Sequence, residues 1–254
     1  MNKIFSEAEA KVLKALRQDL NLVGFANALE QQFLEPKVFM NFTFEERLEN
    51  CIEAQCDLNQ AKKFEALLRA AKLQKNYRMG TLDPKRYADV KRDLWAHLSS
   101  GNWLQKADNI IIVGSSGCGK TSLASALGFL SCQQGYKTLW VRTDDLLTKI
   151  KNETDEVAQT KLIERYEKIH TLILDDFLIH RAVNNDEARI LYRLMDGRDA
   201  KLPTIIVTQL NEKGICTRLG GDDFGADGLK NRILGPAYFI ELKYGEGRTP
   251  SANF

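Results

Sequence analysis

Proline is scarce, cysteine pairs are missing, and neither sign of charge dominates. Five prolines in 254 residues, with no long Gly/Ser tract, exclude a string of small domains on flexible linkers. Lys+Arg total 36 against 34 Asp+Glu, a formal net charge of +2, which excludes a globally polybasic protein but permits a local basic face. The five cysteines (Cys51, Cys56, Cys118, Cys132, Cys216) are odd in number and form no C-x-x-C pair, as expected of thiols in a reducing cytoplasm. The three histidines, His97, His170 and His180, stand too far apart to indicate a zinc site. The opening MNKIFSEAEAKV has no apolar signal-peptide core, and the aliphatic run Ile110 to Val113 is too short to span a bilayer. A soluble cytoplasmic protein without a membrane partner is expected. What is present, 44% hydrophobic and 28% charged residues, is ordinary globular composition, enough for a core without staples.

The first third reads as helices only. Ser6 with Glu9 forms a capping box ahead of Val12, Leu13, Leu16 and Leu20 on one face. Leu22, Ala26, Leu29 and Phe33 mark a second helix that Pro36 ends. Thr43 with Glu46 opens a third, with Phe44, Leu48 and Ile52 inward, and Phe64, Leu67, Leu68 and Ala71 continue the pattern. Gly80, Thr81, Asp83 and Pro84 mark a joint, with Asp83 as N-cap and Pro84 at the first position of a helix carrying Tyr87, Val90 and Leu94. The domain boundary is expected near Met79. After Gly101, strand-like runs at Asn109–Val113, Lys137–Arg142, Thr171–Leu174, Pro203–Thr208 and Tyr238–Leu242 alternate with helical patterns. Short, continuously apolar strands between helices predict an α/β fold with a parallel five-stranded sheet covered on both faces.

The decisive motif is GSSGCGKT, which fits G-x-x-x-x-G-K-S/T in full and lies between a predicted strand and a predicted helix. Gly114, Ser115, Ser116, Gly117, Cys118 and Gly119 would wrap phosphate with backbone N–H groups at the positive end of the helix begun by Lys120, Thr121 and Ser122. Lys120 is expected to reach the β- and γ-phosphates and Thr121 to ligate Mg²⁺. The second element, LILDDF, delivers Asp175 at a strand end to hold the Mg²⁺ shell and Asp176 beside it to orient water as a base. The strand TIIVTQ ends in Thr208 and Gln209, a polar tip placed to sense the γ-phosphate. No N-K-x-D motif is present and no D-x-x-G directly follows the LILDDF strand, so a GTPase is excluded. A small-molecule P-loop kinase is the rival class; adjacent aspartates fit hydrolysis better than phosphorylation of an acceptor.

The ordered set GSSGCGKTSLASALG, LILDDF, PTIIVTQL, GLKNRI and YFIELKYGEGR, with FTFEERL and ALLRAAKLQ upstream, resembles the IstB family of insertion-sequence helper ATPases across nearly the whole chain. That family lies in the AAA+ superfamily, in the clade of bacterial replication initiators and DnaC-type helicase loaders. The resemblance implies a helical N-terminal domain (1–78) for DNA or partner binding and an AAA+ ATPase domain (79–254) without a C-terminal lid, in keeping with a chain that ends shortly after the last strand. It implies ATP and Mg²⁺ as cofactors, slow DNA-stimulated hydrolysis, and a homo-oligomer with nucleotide at subunit interfaces that assists a transposase on target DNA. A DnaC-like helicase loader shares the same chemistry and stays open as an alternative. By the same resemblance Lys120, Thr121 and Asp175 match the nucleotide and metal residues, Asp176 the water-activating acid and Gln209 the sensor. Arg232 matches an arginine finger serving the neighbouring subunit, and Arg248 a family arginine at the nucleotide. Two positions depart from the pattern: Leu178 follows DDF where the family often has glycine, and GEGR stands for a more usual G-E-S-x-R.

Duplex DNA, bound through its phosphates without sequence readout, has two candidate surfaces. One is the stretch containing Lys62, Lys63, Arg69, Lys72, Lys75 and Arg78; the other follows the second strand with Arg142, Lys149, Lys151 and Arg165. In the initiator clade a helical insertion near this second point faces DNA.

Overall fold

The computed structural model describes residues 5–75, 77–220, 224–235 and 237–243, with side chains at 84, 85 and 224–226 left out. The chain forms two compact units, Met1–Ala66 and Leu67–Phe254, which part inside one long helix rather than at the expected joint near Met79. The cause is packing: Leu73, Tyr77 and Met79 lie against the cluster of Leu82, Tyr87, Leu123 and Ile112 in the second unit.

The first unit is helical. Helix α1 (Glu7–Lys14) opens on the Ser6–Glu9 capping box and runs into a π-helical turn, Ala15–Asp19. Helix α2 spans Val23–Leu34, and α3 spans Phe44–Ala71. The amide of Thr43 donates to Glu46 Oε2 (2.7 Å) and that of Glu46 to Thr43 Oγ1 (3.2 Å), so the second capping box forms too. The inward face of α3 is not the expected one. Phe44, Leu48 and Ile52 are 74%, 37% and 48% exposed, while Cys51 and Gln55 are buried. No side chain caps α2 locally, and Gln55 Oε1 instead accepts the first-turn amides of Gly24 (2.9 Å) and Phe25 (3.2 Å). Satisfying orphan helix amides outweighs burying one apolar stripe. Leu13 is buried on α1, but Val12 and Leu20, read on the same face, are exposed.

In the second unit the helix expected from Pro84 is split into a 3-10 turn, Pro84–Tyr87, and α4 (Arg92–Ser100), followed by α5 (Asn102–Lys106). Among the described residues five strands, β1 (Asn109–Gly114), β2 (Thr138–Arg142), β3 (Thr171–Asp175), β4 (Thr204–Thr208) and β5 (Ala237–Leu242), match the sequence reading to within a residue at each end. Their order is β2-β3-β4-β1-β5 and every pairing is parallel. Helices α6 (Lys120–Gln133), α7 (Thr143–Lys151), α8 (Glu156–Glu167), α9 (Asn185–Arg198), α10 (Glu212–Arg218) and α11 (Phe224–Leu234) complete the unit.

Alternation along each strand divides two cores. Ile111, Val113, Leu172, Leu174 and Ile206 join Leu147, Ile163, Leu191 and Ile233 from the helices on one face. Ile110, Ile112, Ile173, Ile205 and Val207 join Leu98, Trp103, Leu123 and Leu127 on the other. Burial on both faces explains why the strands read as unbroken aliphatic runs. Among the described residues no helix is long and apolar enough to cross a membrane.

Candidate functional site

The glycine-rich loop leaves the end of β1 and enters α6, as its motif requires. Gly114 has φ +154, and a Cβ there would fall 2.4 Å from the Leu242 carbonyl oxygen. Gly119 is the N-cap of α6 at φ +106, where a Cβ would meet the Tyr87 hydroxyl at 2.9 Å. Only glycine fits either place. The Lys120 ammonium reaches back over the loop and donates to the carbonyls of Gly114 (2.7 Å) and Ser115 (2.8 Å). Burial holds its pKa below the ordinary lysine range, and the charges of Asp175 and Asp176 pull the other way. Ser115, Ser116 and Gly117 are exposed, Cys118 is buried under the loop, and Thr121 and Ser122 are half-buried in the first turn of α6.

A contact absent from the motif braces this loop. Tyr87 is 4% exposed and its hydroxyl donates to the Gly119 carbonyl at 3.1 Å. Its ring stacks on Trp95 with centroids 5.4 Å apart, and burial pushes its pKa up to about 12. Tyr87 thus remains a neutral phenol at physiological pH.

Two strands from β1, β3 ends in Asp175. Its Oδ2 accepts Trp140 Nε1–H (3.2 Å) and its Oδ1 the Asp176 amide (2.9 Å). Burial raises the carboxyl pKa, the Asp176 charge adds to the rise, and both hydrogen bonds oppose it. The Thr143 hydroxyl donates to the Asp175 carbonyl at 3.0 Å. Asp176 is in the left-handed region, φ 49, and its Oδ2 pairs with Arg142 Nη2 at 3.0 Å. Leu178 is left-handed too, φ 55, and 3% exposed. Glycine would take that backbone without cost; leucine takes it at about 1–2 kcal/mol, offset by apolar burial.

On β4, between β1 and β3, Thr208 is buried and its hydroxyl donates to the Phe177 carbonyl at 2.8 Å, while Gln209 is exposed at the tip. Thr208 pairs in register with Val113, the last residue before the loop. The loop, Gln209, Asp175 and Asp176 therefore share the carboxyl edge of the sheet, where α/β folds bind ligands. Thr121 and Asp175 offer a hydroxyl and a carboxylate, the hard oxygen donors Mg²⁺ prefers, and these residues fit such an ion. Among the described residues no cluster of three or more His, Cys, Asp or Glu competes for a metal.

Arg232 lies elsewhere. Its carbonyl accepts Asn109 Nδ2–H (3.2 Å) at the start of β1, about 16 Å of strand from Gly114. Its guanidinium contacts α9, pairing with Asp196 Oδ1 at 2.5 Å and covering the Tyr192 ring at 4.7 Å. Arg248 lies outside the described residues.

The basic candidates divide. Lys62 and Lys63 belong to the first unit and Arg69, Lys72, Lys75 and Arg78 to the second, all exposed. Arg78 covers the Phe129 ring at 5.0 Å. In the second group Lys149 and Arg165 are exposed, Lys151 pairs with Glu187 (3.2 Å), and Arg142 is tied to Asp176. The contacts of Trp140, Thr143 and Arg142 had no signal in the sequence, because they depend on β2 lying beside β3.

The family model described as IstB-like ATP binding protein matches residues 15–249. The ATP-binding protein of insertion sequence IS1162 from Pseudomonas fluorescens is 32% identical over 192 residues, covering 75% of this chain and 82% of that protein. The corresponding protein of insertion sequence IS5376 from Geobacillus stearothermophilus is 25% identical over 203 residues, 80% of each. Among solved structures, the DnaC helicase loader aligns at TM-score 0.55 and 21% identity, covering 68% of this chain and 100% of that one. The replication initiator DnaA bound to AMPPCP and single-stranded DNA also aligns at 0.55, with 17% identity over 68% of this chain and 52% of that one. At such identities the structural likeness speaks for the fold alone.

Proposed function

The chain belongs to the IstB-like ATP-binding protein family, and on that premise we propose that it is a DNA-binding ATPase that assembles on target DNA and assists a transposase. The observation that carries this reading is the shared edge: a phosphate loop with Lys120, and two strands away a half-buried Asp175 beside Asp176.

The loop amides and Lys120 hold the phosphates of ATP. Thr121 and Asp175 hold Mg²⁺, which when bound neutralises charge on the β- and γ-phosphates. Gln209 orients a water, and Asp176 takes its proton as the oxygen attacks the γ-phosphorus. The bond to the bridging oxygen breaks, leaving ADP and phosphate. Arg232 cannot serve its own loop, being at the opposite edge of the sheet, so as a finger it acts on a neighbouring subunit's nucleotide. The exposed lysines and arginines at 62–78 and on α7 and α8 neutralise DNA phosphates without reading bases.

The test pairs turnover with DNA binding. Lys120→Ala removes ATP binding or lowers turnover by about 10²–10³, whereas Asp176→Asn keeps binding and slows hydrolysis. Affinity for unrelated duplexes falls steeply with salt, on the order of 10³–10⁵ between about 50 and 200 mM. Unchanged turnover in both variants, or salt-insensitive binding, removes the reading. Co-purification with a transposase rather than a replicative helicase separates the transposition helper from a helicase loader.

A further inference from the structure

Trp140, in the middle of β2, is in parallel register with Ile173, and both belong to the core beneath α6 with Leu123 and Leu127. Alternation returns Asp175, two residues beyond Ile173, to that same face, where the first turn of α6 carries Lys120 and Thr121. Two residues of rise and one strand spacing put the backbones of Trp140 and Asp175 about 8 Å apart on the diagonal. Only a long or aromatic side chain closes such a gap. The indole does so, its Nε1–H donating to Asp175 Oδ2 at 3.2 Å. Thr143, buried at the start of α7, fixes the backbone of the same residue by donating to the Asp175 carbonyl at 3.0 Å.

These contacts set the carboxylate without using it up. Oδ2 accepts the indole and Oδ1 the Asp176 amide at 2.9 Å. An ionised carboxylate accepts about four hydrogen bonds, so each oxygen keeps a lone pair for a cation or its water. Trp140 is 3% exposed, and its N–H is a donor with no acceptor capacity, so it never competes with Asp175 for a metal. Its ring is packed among apolar side chains, which fixes where the donor points. Hydrogen bonds of this kind orient a ligating carboxylate before the metal arrives.

We propose that Trp140 is a positioning residue for Mg²⁺: its indole N–H keeps the Asp175 carboxylate turned toward the face of Thr121, ready for the ion. This rests on the reading of Asp175 and Thr121 as the residues that hold the metal.

The test reads metal-dependent binding rather than turnover. AMPPCP affinity of the full chain is measured in EDTA and across a Mg²⁺ titration. Trp140→Phe keeps an aromatic ring and removes the N–H. It raises the Mg²⁺ needed for half-maximal binding about ten-fold, the low end for partners of metal-ligating groups, and excess Mg²⁺ restores wild-type affinity. Affinity in EDTA is unchanged. In an Asp175→Asn background Trp140→Phe has no further effect, because Trp140 acts through Asp175. The wild-type protein supplies a second readout. Its three tryptophans give three indole N–H resonances, and the one lost in Trp140→Phe shifts when Mg²⁺ is added to the AMPPCP complex. If that variant does not fold, the resonance displaced in Asp175→Asn identifies Trp140 instead. The proposal is overturned by an unchanged Mg²⁺ requirement in folded Trp140→Phe, or by an indole resonance that ignores Mg²⁺. Equal losses of affinity in EDTA and in Mg²⁺ overturn it also and leave Trp140 a packing residue. A raised requirement in Asp175→Asn but not in Trp140→Phe removes this inference alone; an unchanged requirement in Asp175→Asn removes the reading beneath it as well.

Discussion

Among the described residues, Arg198 at the amino-terminal edge of the sheet is 1% exposed and donates to six acceptors, whereas at the carboxyl edge the exposed Arg142 donates to one. Arg198 Nε meets Thr204 Oγ1 (2.9 Å), Nη1 the carbonyls of Tyr166, Glu167 and Ile169, and Nη2 those of His170 and Pro203. Those carbonyls are the last of α8 and the entries to β3 and β4, so one guanidinium caps a helix and gathers two strands. Burial pulls its pKa down to about 9, yet it remains a cation at physiological pH. Nearby, Asn109 accepts the Thr204 amide (2.9 Å) and donates to the Arg232 carbonyl. Arginines at the two edges thus have opposite physics. A dense, water-excluded set of bonds is expensive to disturb and fixes the frame. A single half-solvated pair costs little to exchange.

The largest effect expected anywhere in the molecule comes from Arg232, anchored at the rigid edge and proposed above as a finger for a neighbouring subunit. Arg232→Ala lowers turnover by about 10³–10⁵, the range of arginine fingers in other NTPases, while isolated subunits bind nucleotide as before. Turnover and ATP-dependent assembly, measured by mass photometry, at wild-type levels would leave Arg232 as a clamp on Asp196 and Tyr192 of α9 and nothing more.

Next comes the frame itself. Arg198→Met strips the caps from several buried carbonyls and costs about 3–5 kcal/mol of stability, read from urea unfolding, with ATP affinity of the folded fraction unchanged. Asp176→Asn shows the reverse, near-native stability with impaired turnover. An Arg198→Met protein as stable as wild type would erase the contrast between the edges.

The smallest effect concerns the segment after the aspartates. Glu187 pairs with Arg181 (2.6 Å) and Lys151 (3.2 Å) and accepts the Asn184 amide in a capping box. The Arg181 hydrogen bond, aided by those of Asn184 and Lys151, holds its pKa down to about 2 against an ordinary 4.5. A depressed carboxyl stabilises the fold fully above about pH 4.5, and that contribution, about 2–3 kcal/mol, disappears as pH falls toward 2. Glu187→Gln flattens this acid limb. Identical losses in wild type and variant between pH 5 and pH 3 would assign the limb to other groups.

Much of this was legible in the residues. GSSGCGKT, the aliphatic runs and LILDDF place the loop, the strands and both aspartates correctly in type and position, since each is local chemistry on a backbone of known period. Periodicity was a poorer guide in the first unit. Apolar residues populate adjacent stripes of α3, and only the demand of α2's bare amides for Gln55 chose between them. A lone arginine closing a helix, such as Arg198, reads as solvated until α8, β3 and β4 converge on it.

What the sequence by itself determined is the parallel α/β unit and the phosphate loop with its Lys120, Thr121, Asp175 and Asp176. Glycines that alone tolerate the loop's dihedrals and strands apolar on both faces leave few other ways to fold. Only the tertiary structure decided that β2 lies against β3, putting Trp140 on Asp175 and Arg142 on Asp176. Pairs separated by some 34 residues carry no mark in a linear pattern, because strand order is settled by how the two cores pack and not by any strand's own composition.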